Sequence, residues 1–309
     1  MQRVFVLWIG LWLSTGLLSC SSDSGKPKPP AALPVPVDNP LTRHGGPFQL
    51  DWAMNPLWED GRAEIAVYDA EQQVDGEPHR FTITQATAKR EFNQQYNVST
   101  TQPGRNDVFP VLQVTQQYTL PTAAYPSNVQ VCLVFRRDQP VQLHKLTVSV
   151  QEWAGSSFKS FMDDGLQYQQ QYNSYRDEEG LGQRTLLHQA LFEDALPYTL
   201  RSLDFAALPT FRASIYGQQQ TSSAKPPVLY QARIQVEEAP AADSLQNAWQ
   251  VRVRLNDTRQ NMYWFAKAYP HELLRAATWD GRRQWLKQLR RVPLSTTTPP
   301  ADSAATVAE

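Results

Sequence analysis

Along most of the chain, apolar and polar residues alternate one by one. In "VLQVTQQYTL", Leu112, Val114, Tyr118 and Leu120 fall on one face, and Gln113, Thr115, Gln117 and Thr119 on the other. In "WQVRVRL", Trp249, Val251, Val253 and Leu255 alternate with Gln250, Arg252 and Arg254. "VLYQARIQVE" puts Val228, Tyr230, Ala232, Ile234 and Val236 on one face, and "LQYQQQYN" alternates around Leu166, Tyr168 and Tyr172. Successive side chains of a strand point to opposite sides, so this period of two predicts strands with one buried and one wet face. Such strands suit antiparallel sheets. "VQVCLVF" is apolar on both faces and predicts a central strand.

The turns agree. Asp75-Gly76, Asp164-Gly165 and Asp280-Gly281 each separate two strand-like segments, which is a hairpin signal. One segment reads as a helix: Leu187, Leu191 and Ala195, with Phe192 and Leu196, follow i, i+4 spacing until Pro197 stops or restarts it. The predicted fold class is mainly β, a large antiparallel, curved sheet, half-barrel or sandwich-like, with one or two short helices.

The N-terminus has a different pattern. Val4 to Leu18 is an apolar run behind Met1-Gln2-Arg3. It is short of the ~20 residues of a comfortable membrane span and fits a secretory signal. Leu17-Leu18-Ser19-Cys20 resembles the bacterial lipobox. That resemblance implies alkylation of the Cys20 sulfur by a diacylglyceryl group, cleavage before Cys20, and acylation of the new amine. Two or three acyl chains make an anchor that is slow to leave a membrane. Ser21, where an aspartate would signal inner-membrane retention, implies sorting to the outer membrane, with its periplasmic or surface face left open. The expected organisation is a signal peptide over 1–19 and a proline-rich tether over 20–47. A β-rich body follows over 48–292, as one domain or two subdomains meeting near 180–225, and then a tail over 293–309. Proline-rich stretches make stiff spacers.

Charge and composition narrow the function. The chain of 309 residues carries 29 basic and 30 acidic side chains, and removing 1–19 takes away only Arg3. A near-neutral balance without a basic stretch argues against a dedicated nucleic-acid binder. There are two cysteines. With Cys20 modified, Cys132 has no intrachain partner, and its apolar run predicts a small buried residue. His44, His79, His144, His188 and His271 are at least 35 residues apart, and no HExxH, Cys-x-x-Cys, GxSxG, P-loop or GxGxxG occurs. No catalytic residue, metal ligand or cofactor is therefore assigned. The acidic pairs Asp163-Asp164 and Glu178-Glu179 sit beside glycines and read as solvated loop charge.

Aromatic residues are the richest feature. Seven of the nine tryptophans lie beyond the signal: Trp52, Trp58, Trp153, Trp249, Trp264, Trp279 and Trp285. A carbohydrate- or lipid-binding protein could use such rings as a platform, but rings also fill the core and cross-strand positions of a large sheet. Leu146, Val148 and Val150 set an even-numbered apolar face, so Trp153 is out of phase, which predicts a bulge or a ring on the other side. In "YWFAKAYPHELLRAATWDGR" an aromatic strand runs into Tyr269-Pro270-His271 and a second strand returns to Trp279-Asp280-Gly281. Trp153, Trp264, His271 and Trp279 are the candidate ligand-face or special structural positions.

"QEWAGSSF", "LQYQQQYNSYRDEEG" and "ALFEDALPYTLR" resemble segments of an uncharacterised lipoprotein family of the Bacteroidota. The resemblance extends from about Trp58 to Trp285. Ala154 stands where a cysteine is common in that family, and no catalytic residue carries over. Members often bear the label "septum formation inhibitor Maf". Maf proteins proper are cytoplasmic nucleotide pyrophosphatases, and this β-rich chain with an export signal lacks their nucleotide-handling loop. The 263–282 hairpin resembles the end of periplasmic half-barrel families related to lipoprotein carriers. The Bacteroidota resemblance also implies O-glycosylation at Ser244 and Ser303, within Asp243-Ser244-Leu245 and Asp302-Ser303-Ala304. The expected function is a non-enzymatic, outer-membrane-anchored lipoprotein, a binding or structural module of the cell envelope, whose partner is an apolar ligand or an envelope protein. The alternatives are a half-barrel carrier of a lipid or other apolar ligand, and an envelope glycan hydrolase.

Overall fold

The computed structural model describes residues 41, 46–74, 76–102, 105–122, 125–240, 244–245 and 247–294. The expected signal segment, Cys20, nearly all of the tether and the tail, and Ser303 lie outside the described residues.

Among the described residues, sixteen strands form one sheet. It begins with a long hairpin, β1 (Arg62–Val74) and β2 (Glu77–Asn93), with the two-residue β3 (Val98–Ser99) beside the end of β2. Then β4 (Val108–Leu120) pairs with β2, and β5 (Ser127–Arg136), β6 (Leu143–Glu152), β7 (Gly155–Asp163), β8 (Gln167–Asn173) and β9 (Leu181–Leu187) follow as an antiparallel meander. A short β10 (Leu191–Phe192) lies parallel to β11 (Thr210–Tyr216). A second antiparallel run continues through β12 (Leu229–Glu238), β13 (Ala248–Arg254), β14 (Gln260–Ala266), β15 (Leu273–Ala277) and β16 (Arg283–Pro293). The runs join where β16 pairs with β1, from Arg62 opposite Pro293 to Glu71 opposite Arg283. The sheet edges, β9 and β10, are thus neighbours in the chain, and the curved sheet stays open at that one seam.

Strand periodicity decides which side chains go inside. Leu112, Val114 and Tyr118 of β4, Val129, Val131, Leu133 and Phe135 of β5, and Ala232, Ile234 and Val236 of β12 all belong to one buried cluster. Burying a side chain of this size contributes ~1.5–3 kcal/mol. The second apolar face of β5 is also used. Val134 and Cys132 pack outward against Phe92, Phe109 and Val111, so β5 is covered on both sides. The hairpin turns are as the Asp-Gly signals imply, with positive φ at Gly76, Gly165 and Gly281.

The inside of the curve is occupied. Ala190 to Leu203 is almost wholly buried, and this segment crosses the concave face. Phe192 meets Phe161, Tyr168 and Tyr216. Tyr198 stacks on Phe135 at 4.2 Å, and Phe205 on Trp249 at 5.7 Å. This corrects the expected helix. Leu187 ends β9 and is exposed, Leu191 and Phe192 form β10, and the helix α1 is only Leu196–Thr199, set between 3-10 turns at Glu193–Ala195 and Leu200–Ser202. The i, i+4 spacing misled because a segment enclosed by a sheet buries side chains in all directions, leaving no single apolar stripe. The half-barrel carrier alternative would need an apolar hollow on the concave face, the face that Ala190–Leu203 crosses.

Antiparallel alternation fixes two ends. Arg62, Pro293 and the Phe48–Leu203 bridge lie at one, where Trp52 and Trp58 are the buried residues of two 3-10 turns. The turns at Gly76, at Trp153-Ala154 and between β15 and β16 lie at the other. A long connection, residues 217–228, also leaves β11 at that second end.

Candidate functional site

Two places combine charge with shape. The first is internal. Glu193 and Asp194 both point into the fold and are nearly inaccessible. Glu193 Oε1 accepts from Asn261 Nδ2 at 2.7 Å and Trp279 Nε1 at 2.9 Å, and its Oε2 accepts from the Gln218 amide at 3.0 Å. Asp194 accepts from the Gln219 amide through both oxygens, at 2.9 and 3.1 Å. Arg282 Nη1 donates to Tyr118 Oη at 3.2 Å and Gln220 Oε1 at 3.0 Å. Burial pushes the Glu193 carboxyl up and the Asp194 carboxyl up to about 6. The cavity among these groups is about 50 Å³, room for a few waters.

Lys159 holds the same connection. It projects inward from β7, 1% exposed, and Nζ donates to three carbonyls, Gln219 at 2.5 Å, Thr221 at 2.9 Å and Ser223 at 2.7 Å. Burial pulls its ammonium down to about 8, against the pull of Asp194 and Glu179. Glu179 adds bonds from Ser223 Oγ at 2.7 Å and the Ala224 amide at 2.6 Å. These charges strap residues 217–224 to the interior. Their bonding capacity is spent on the fold.

The second place is on the outer face of β16, β1 and β2. Tyr68 and Ala70 face the core, so Asp69 and Glu71 face out. Trp285, Asp69 and Thr82 lie side by side across the three strands, and Arg283, Glu71 and Arg80 form the next row. Asp69, Glu71, Arg80, Thr82 and Trp285 line an open depression of about 510 Å³. Lys287 is the extra residue of a β-bulge, because Val67 faces Gln288 while Tyr68 faces Leu286. Its Nζ lies 3.0 Å from Asp69 Oδ1, and Arg283 Nη1 lies 3.6 Å from Glu71 Oε1.

The positions singled out from sequence do not converge. Trp153 is neither at a bulge nor on a strand face. With Ala154 it forms the two-residue loop between Glu152 and Gly155, 80% exposed and stacked on Tyr125 at 5.1 Å. The apolar face simply ends at Val150. Trp264 is buried on the outer side beneath Arg275, whose guanidinium lies 3.7 Å from the ring centre. His271 Nδ1 is 2.9 Å from the Ala266 carbonyl and its ring packs on Phe205. Trp279 Nε1 donates to Glu193, and the Arg259 guanidinium lies over its ring. Ser244 is exposed between β12 and β13.

The acidic pairs also have structural partners. Asp163 Oδ1 is 2.9 Å from His188 Nε2, Asp164 accepts from the Leu166 and Gln167 amides, and Glu179 holds the strap. Sequence reading missed Glu193-Asp194 and Lys159. The signal for the first was available, an acidic pair enclosed by Phe192 and Ala195-Leu196. For Lys159 it was not, because Phe158 and Phe161 lie three apart and leave the phase of β7 ambiguous.

No family model matches this chain, and no curated protein does. A crystal structure of a beta-barrel-like protein of domain of unknown function DUF1849 from Brucella abortus is similar, with 9% identity, a TM-score of 0.46, and coverage of 75% of this chain and 98% of that chain.

Proposed function

We propose that this chain is a non-catalytic binding module, tethered to the cell envelope by lipid on Cys20 and sorted to the outer membrane. The observation that carries the reading is the occupied concave face. With Ala190–Leu203 inside the sheet and residues 217–224 strapped to it, recognition falls to the outer surface and to loop ends. Phe48 and Pro293 are at one end of the strands, and the exposed Trp153–Tyr125 stack is at the other. Glycosylation at Ser244 and Ser303 belongs to the same reading, and an intact mass without added hexose would reject it.

Fractionation of cells expressing the full chain tests the anchor. The parent chain is expected in outer-membrane fractions, and Cys20→Ala is expected to be released or mislocalised. A Cys20→Ala chain that still fractionated with the outer membrane would refute it.

A further inference from the structure

We propose that the outer face of β16, β1 and β2 is a glycan-binding site that seats one sugar ring on the indole of Trp285. This deepens the binding-module reading and rests on it. The ring is 39% exposed, beside a depression of about 510 Å³, within the usual range of ligand sites. An aromatic face is electron-rich and attracts the partly positive C–H face of a pyranose. Beside it stand the acceptors that hydroxyl groups need. Asp69 is directly opposite Trp285 on the neighbouring strand, ~5 Å away at ordinary strand spacing, and Glu71 is two residues further along β1. Carboxylates bond donors more strongly than neutral acceptors do. Arg80, across from Glu71 on β2, supplies donors to hydroxyl or carboxylate oxygens.

The same residues argue against other ligands. An acyl chain on this face would take the charges of Asp69, Glu71, Arg80 and Arg283 out of water, which is costly. The Lys287–Asp69 pair is solvent-exposed and weak enough to yield to a ligand, while Arg283 is exposed beside a half-buried Glu71. The β-bulge at Lys287 breaks the regular pleat two residues beyond Trp285, a device common beside binding sites.

The test is a panel of neutral and uronate-containing oligosaccharides screened against the mature chain, with titration calorimetry on the tightest binder. Trp285→Ala is expected to weaken binding at least about tenfold, and Trp153→Ala to leave it unchanged. Arg80→Ala is expected to weaken a uronate ligand more than a neutral one. An unchanged thermal melt shows that each variant is folded. If no oligosaccharide binds, or if Trp285→Ala binds like the parent, the site is refuted. Loss in Trp153→Ala alone would refute this site yet leave the binding-module reading standing, and fractionation of Cys20→Ala tests that reading separately.

Discussion

Arg201 forks onto both carboxylate oxygens of Glu64, at 2.7 and 2.9 Å, and both residues are buried. Its Nε also donates to the Pro270 carbonyl at 3.0 Å, and its guanidinium lies over the rings of Trp52 and Trp58. One arginine thus ties the internal segment to β1, to the β14–β15 connection and to the N-terminal 3-10 turns.

Breaking that pair on one side leaves a buried charge alone. Arg201→Met or Glu64→Gln is expected to cost about 3–5 kcal/mol in chemical denaturation. The double variant Glu64→Leu with Arg201→Met is expected to recover part of the loss, because neither charge then remains. A single variant as stable as the parent would mean that the pair does not lock the segment.

Lys159→Met leaves three carbonyls of the strap without their donor. We expect faster hydrogen exchange and proteolysis within 217–228, and a loss of about 1–3 kcal/mol. The parent also has a pH signature. The folded Lys159 gives up its proton near pH 8, before the unfolded lysine does. Between about 8 and 10.5 the unfolded chain therefore holds more protons, and this group's contribution makes stability rise with pH. The full cost of burying the ammonium applies below that window. The difference between parent and Lys159→Met should follow this trend in urea midpoints from pH 7 to 10.

Two histidines should act in opposite directions. Burial pushes His144 down to about 4, where its Nε2 lies 2.8 Å from Asn97 Oδ1. The unfolded chain protonates first, so this group destabilises the fold as pH falls from 6.5 towards 4, by on the order of 2–3 kcal/mol. His144→Gln should flatten that loss. His188 is raised by its bond to Asp163, so its contribution is complete below the unfolded value of about 6.5 and fades as pH rises through the folded one. His188→Gln should therefore be most damaging in acid. Denaturation midpoints of both variants from pH 4 to 8 check the two slopes.

What could be read from sequence follows from geometry. A strand exposes its period over a few residues, so the faces of β4, β5, β12 and β13 were legible, as were the Asp-Gly turns. The internal segment was not, because its environment comes from strands far along the chain. Phe192 touches Phe161 and Tyr216 only once the sheet has curved round it. The same holds for Trp285. Nothing near it in sequence shows that Asp69, 216 positions earlier, is its cross-strand neighbour. Trp153 looked anomalous for a real reason, but the anomaly was the end of a strand.

Native mass spectrometry of the mature chain extracted from membranes tests the central claim most directly. The predicted species begins at Cys20, carries covalent acyl lipid there, and holds no non-covalent apolar ligand, because Ala190–Leu203 already fills the inside of the sheet. A chain without lipid on Cys20, or one that retains a stoichiometric non-covalent lipid, would contradict it.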